Sequence, residues 1–171
     1  MDVQKIFHAN AYLDGTNSLL GRASELTLPE LVATTTEHTA LGMFGKVELA
    51  TGIEPMVTKV KWNGFYADRV LAGSNPFIHH KLQLRGNCEV HNAAGLVGTK
   101  SVVALMTVKW KKSPMGVFAP QTSPDFEDEL STTYFKLSLD GKELVEVDVL
   151  NQIWKVDGKD ILQGYRANLG L

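Results

Sequence analysis

The 171-residue chain is poor in the residues that usually carry chemistry. It holds one cysteine, Cys88, and its seventeen Lys and Arg nearly balance nineteen Asp and Glu, for a net charge of −2. One thiol excludes an intrachain disulfide and disfavours a cysteine-based metal site. The charge balance argues against a basic surface that wraps nucleic acid. No apolar run approaches the roughly 20 residues of a membrane helix, and Met1 to Lys5 does not open a secretory signal. There is no phosphate loop, Gly95 and Gly98 do not form a dinucleotide fingerprint, and no repeat or low-complexity segment appears. What remains is the expectation of one soluble, cytoplasmically made domain over 1–171, with no cofactor and no membrane. With 44% hydrophobic and 21% charged residues it can bury a real core.

Alternation with a period of two dominates the pattern. Phe7 to Leu13 reads as a strand ending at the turn signal Asp14-Gly15, and Ala23 to Leu28 as another, stopped by Pro29. The cleanest run places Ile78, His80, Leu82, Leu84, Cys88 and Val90 on one face, with His79, Lys81, Gln83, Arg85, Asn87, Glu89 and His91 on the other; Gly86 reads as a bulge. After a Gly/Ala turn, Val102, Ala104, Met106, Val108 and Trp110 return together as its antiparallel partner. Phe65 to Ala72 fits a short helix ending at Gly73, and Ser113 to Pro124 is a loop.

Val32 to Thr39 is strand-like but has no apolar face. Thr34, Thr36 and His38 make it either an exposed edge or the lining of a water-filled channel. Thr58 to Trp62, with Lys59 and Lys61 on one face, is its natural hairpin partner. Ala40 to Glu54 then becomes a long connection in which Gly42 and Gly45 flank the apolar Met43 and Phe44, as in a partner contact.

The last 38 residues are the most legible. Asp140-Gly141 and Asp157-Gly158 are two-residue hairpin turns, since both tolerate φ > 0. Regular pairing would set Leu137 opposite Leu144, with Phe135, Leu137, Leu139 and Leu144 on one face and Lys136, Ser138, Glu143, Val145 and Val147 on the other. Ile161, Tyr165 and Leu169 then form one stripe of a closing helix, with Asp160 as N-cap, Gln163 as its capping-box partner and Gly170 as the C-terminal cap. The stripe implies that this helix docks and that the terminus is packed.

Candidate chemical groups have bland readings close by. His79 and His80 point to opposite faces, so no metal cluster follows from them. Cys88, on an apolar face, reads as a buried inert thiol. Lys109, Lys111 and Lys112 around Trp110 read as a solvated strand end. Asp125, Glu127, Asp128 and Glu129 do not have calcium-loop spacing and read as a surface that meets a partner or repels DNA. Nothing supports an enzyme.

The run from Tyr134 to Asp148, then Asn151, Lys155-Val156, Gly158, Asp160, Leu162, Arg166 and Asn168-Leu169-Gly170-Leu171, closely resembles the C-terminus of the major tail tube proteins of contractile-tailed phages. The tube protein of R-type bacteriocins is similar. Leu26 to Leu31, including Leu28-Pro29, and Gly42-Met43 with Gly45 extend the resemblance towards the N-terminus. It covers both ends of the chain; between His91 and Phe126 no motif matches.

The resemblance implies a phage tail tube fold. The pattern agrees: mainly β, about seven or eight strands in two packed antiparallel sheets or an open β-barrel, with one or two short helices. It further implies a structural protein that forms hexameric rings. These would stack into the hollow inner tube of a contractile tail, a conduit for DNA inside a sheath. Partners would be other copies, the tail sheath protein, and baseplate and tail-terminator proteins. DNA would pass transiently, and the location would be the virion tail, assembled in the host cytoplasm. The inter-ring contact would fall on Gly42 to Gly45, and Thr34, Thr36, His38, Lys59 and Lys61 are candidates to line the bore. Lys59, Lys61, Lys81 and Arg85 would hold DNA unless acids such as Glu37 and Glu89 neutralise them or they face an interface or the sheath. A headless contractile bacteriocin tube and a soluble β-domain that binds a partner or ligand are the alternatives.

Overall fold

The computed structural model describes residues 1–15, 17–116 and 126–171. The second half of the loop at 113–124 and the acidic Asp125 lie outside these residues. The elements are β1 (Val3–Leu13), β2 (Asn17–Ser18), β3 (Ala23–Thr27), β4 (Ala33–His38), β5 (Val47–Ile53), β6 (Met56–Trp62), α1 (Ala67–Gly73), β7 (His80–Asn92), β8 (Gly95–Lys112), β9 (Phe126–Leu139), β10 (Lys142–Asp148), β11 (Ile153–Val156), β12 (Lys159–Asp160) and α2 (Gln163–Leu169). The chain is mainly β, with two sheets and two short helices.

Ten strands form one antiparallel sheet in the order β12-β11-β10-β9-β8-β7-β1-β2, from which β6 and β3 branch beside β9. One edge of β9 pairs with β8 over Glu129 to Leu139. The other edge pairs first with β6, over Phe126 to Thr132, and then with β10, over Tyr134 to Leu139. Thr133 is the extra residue in the β8–β9 ladder at this handover. A one-residue insertion flips which side chains face inward. Phe126, Leu130 and Thr132 are therefore buried before it, and Phe135 after it.

The core collects Ala11 and Leu13 from β1, Leu19, Met56, Val60 and Trp62 from β6, Leu82 from β7, and Ala104, Met106, Val108 and Trp110 from β8. Phe126, Leu130, Phe135 and Val147 complete it. The β7–β8 pair is the one read from alternation, but Gly86 is in regular register between Ala9 and Val102. The bulges fall instead at Phe7 and Val97, opposite β7.

The C-terminal unit differs from regular pairing by one residue. Asp140 and Gly141 take φ of 51° and 80° and form the expected turn, with Lys142 opposite Leu139. Leu144 then bulges, and Leu137 pairs with Val145 rather than Leu144. The bulge brings Val145 and Val147 to the face of Leu137 and Phe135, so Val147 enters the core while Leu144 stays partly exposed. Asp160 is not the helix N-cap. Leu162 holds that position without a side-chain cap, and Asp160 sits in β12. Its carboxylate accepts from the Leu162 N–H and from Arg166. Gly170 is the left-handed cap expected there. The α2 stripe is open, with Ile161, Tyr165, Leu169 and Leu171 all half-exposed or more, so within one copy neither helix nor terminus is packed as the stripe implied.

Candidate functional site

Two features stand out from the residues upward: a polar cluster inside the core, and a hairpin outside the main sheet. Strand alternation divides the acidic run. Asp128 points inward and is fully buried, whereas Glu127 and Glu129 point outward. The Asp128 carboxylate accepts from Trp62 Nε1 at 2.9 Å, Trp110 Nε1 at 3.0 Å and Arg69 Nε at 3.0 Å, and also pairs with Arg69 Nη2. Arg69 comes from α1, reaches the Pro114 carbonyl at 2.8 Å and lies over the Phe126 ring. A buried ion pair survives desolvation only when such additional bonds satisfy it. Four elements are thereby tied at one end of the sheet. Asp128 is thus a structural anion rather than part of a surface that meets a partner or repels DNA, and Trp110 belongs to the core. The pairing partner, Arg69, carries no sequence signal beyond a basic residue on a short helix.

The hairpin is β4–β5, a two-stranded sheet of its own. The partner of β4 is β5 and not β6; β6 pairs with β3 and β9. The stretch 40–54 therefore contains a strand, and the loop proper is 39–46. A mixed sequence such as Val47 to Ile53, with Gly52 inside it, gives little strand signal until β4 supplies the ladder. At the tip the Met43 N–H donates to the Ala40 carbonyl at 3.1 Å, and Gly42 at φ 88° allows the reversal. Leu41 and Phe44 are fully exposed, at 106% and 109%, and Met43 is 40% exposed.

The bore-lining candidates are divided between sheets. Thr34, Thr36 and His38 lie on β4, where Thr36 pairs with Leu49 and His38 with Val47, so that face also carries exposed apolar groups. Lys59 and Lys61 project from β6 in the main sheet. Lys61 pairs with Glu25 at 2.8 Å and both lysines approach Glu127, at 3.6 and 3.8 Å. Their acids are Glu25 and Glu127, whereas Glu37 pairs with Lys46 and Glu89 with His91. Lys61 stabilises ionised Glu25 and holds its carboxyl below the usual range.

The histidines are dispersed. His80 Nδ1 meets Asp14 at 2.8 Å and its ring packs edge-on against Trp110. Among the described residues no group of three could hold a metal. Cys88 is buried. Near the C-terminus, Glu146 accepts from Lys155 at 2.7 Å and Tyr134 at 2.9 Å, and these bonds hold its carboxyl below the usual range. Burial and the neighbouring Glu146 push the Tyr134 hydroxyl far above its ordinary pKa.

Motif residues serve this scaffold. Pro29 is buried and Leu28 packs on the core. Asp140, Gly141 and Gly158 form turns. Arg166 joins α2 to the Gln152 carbonyl and Asp160. Asn168 and Leu169 remain on the exposed surface of α2.

A family model for phage tail tube protein FII matches residues 3–170. The tail tube protein of Escherichia phage P2 is 28% identical over 174 residues, covering 98% of each chain. The major tail tube protein of Serratia phage KSP20 is 28% identical over 155 residues, covering 88% of this chain and 85% of its own. With its β scaffold matched almost from end to end, the chain belongs to the phage tail tube protein FII family.

Proposed function

We propose that the protein polymerises as stacked hexameric rings into the hollow inner tube of a contractile phage tail, through which DNA is delivered. The observation that carries this reading, beyond family membership, is the β4–β5 hairpin. It stands apart from the main sheet and ends in apolar side chains with no cover of their own. A ring closes by a heterologous contact that rotates, and a tube grows by a second contact that does not close. A projecting hairpin suits the second role, with Gly42, Met43, Phe44 and Gly45 as the inter-ring segment. Around the tube we place the sheath protein, and at its ends the baseplate and tail-terminator proteins, with assembly in the host cytoplasm and residence in the virion tail. Lys59 and Lys61 oppose DNA passage little if they face the bore, because Glu25 and Glu127 screen them.

Negative-stain electron microscopy with sedimentation over a concentration series tests the proposal. Hollow tubes or six-fold rings are expected. Substituting both Met43 and Phe44 with Asp should leave the fold intact and prevent stacking. Normal tubes from that variant would remove the hairpin from the inter-ring contact. A fixed small particle from the unaltered protein at every concentration would favour the soluble β-domain instead.

A further inference from the structure

The tip of the hairpin has a counterpart at its foot. A groove of about 540 Å³ runs between the base of β4–β5 and the C-terminal unit. Ile53, Val149, Trp154, Ile161, Tyr165 and Leu169 are among its lining residues. It is large enough for several side chains, since one water occupies about 30 Å³. The α2 stripe faces this space yet is exposed, at 50%, 69% and 67% for Ile161, Tyr165 and Leu169. Trp154 Nε1 is buried beside it with no acceptor among the described residues.

We propose that this groove receives Leu41, Met43 and Phe44 from the hairpin tip of a second copy of the chain. The proposal rests on the tube reading above and names the acceptor of its stacking contact. The occupant follows from three observations. The tip presents three apolar side chains within four residues, two of them fully exposed, so nothing in its own copy covers them. The groove is lined by the same hairpin's foot, through Ala33 and Ala50 to Ile53. From Val47 to Ile53 the strand extends about 20 Å at about 3.3 Å per residue, and a paired strand cannot bend its tip back to its own foot. Only another copy can supply the tip.

The direction of growth follows from the same placement. Donor and acceptor lie at opposite ends of one hairpin, so each copy that accepts a tip presents its own tip further along. A head-to-tail contact either closes into a ring or extends, according to its rotation, and in the tube reading this one is the contact that extends as a stack. Many tips engaging at once between two rings make the junction far tighter than one tip in one groove. The open stripe on α2 is then a covered surface in the assembly, and the docking expected of that helix is supplied between copies.

Photo-crosslinking tests the assignment without requiring a special geometry. A Phe44→p-benzoylphenylalanine variant is assembled with nitrogen-15-labelled unaltered protein, irradiated and digested for mass spectrometry. Adducts joining the unlabelled tip to labelled peptides that carry the groove residues, Ala33, 50–53 or 147–169, are expected. Polymers whose adducts map elsewhere, or only within one copy, would overturn the groove as acceptor while leaving the tube reading in place. Absence of any polymer from the labelled protein alone would instead overturn the tube reading on which the proposal rests. Leu169→Asp, on an exposed position, should raise the concentration needed for assembly at least about tenfold with an unchanged melting curve. Assembly at the unaltered concentration would count against the groove.

Discussion

Asp128 shows how one residue type can take opposite roles within a single run. In Asp125 to Glu129 the strand period sends Asp128 into the core and its neighbours to solvent. With Asp128 replaced by Asn, Arg69 would remain buried with its charge uncompensated. Asp128→Asn should therefore destabilise the fold by about 3–5 kcal/mol, read from chemical denaturation. A loss below about 1 kcal/mol would mean that the two indole N–H groups, not the ion pair, give this site its stability. A second residue-scale outcome concerns pH. The folded state holds the Glu146 carboxyl below its unfolded value, mainly through Lys155 and then Tyr134. The resulting stabilisation is complete above the unfolded pKa, near 4.5, and is lost as pH falls through the lower folded value. Glu146→Gln should thus flatten the decline of stability in the acid range relative to the parent protein. An identical slope in both would refute this coupling.

At the scale of elements, α2 is held by polar ties more than by burial. It has no side-chain N-cap and no buried residue. Arg166 instead links it to Gln152 and Asp160. Arg166→Met should loosen the helix locally, because both of its polar ties to Gln152 and Asp160 are lost. Faster amide exchange over 163–171 with little change in β8 would be the signature; uniform exchange across the chain would show that α2 unfolds only with the whole domain. The Leu144 bulge explains why regular pairing puts Val145 and Val147 on the face of Lys136 and Ser138, and the Thr133 bulge reverses the inward set between Thr132 and Phe135. Each inserts one residue and reverses the inward set, so a strictly alternating reading assigns the wrong face to everything beyond it.

For the whole molecule, the open surfaces are as informative as the core. The hairpin tip and the α2 stripe expose large apolar side chains at separate places, which is the arrangement a polymer of identical copies requires. Assembly through them should have a negative heat-capacity change and respond weakly to sodium chloride, because apolar burial rather than ion pairing drives it. Calorimetric dilution across temperature and ionic strength would read both. A steep loss of assembly with salt would assign the junction to the exposed charges on the sheet instead.

The amino-acid order alone specified much of the local structure. Alternation defined β7 and β8, Asp-Gly pairs specified the turns at 140 and 157, Gly170 marked the end of α2, and motifs spread over both ends carried the family. These signals are short-range, arising from φ/ψ preferences and from the period of apolar residues. Tertiary structure decided what depends on distant partners. It paired β4 with β5 rather than with the more strand-like β6, joined Asp128 to Arg69 across 59 positions, and gave Lys61 its acid in Glu25, 36 positions away. It also placed the foot of one hairpin and the C-terminal helix around one groove. Nothing within a few residues encodes such pairings, because a strand edge or a buried charge selects its partner only after the fold has brought the two together.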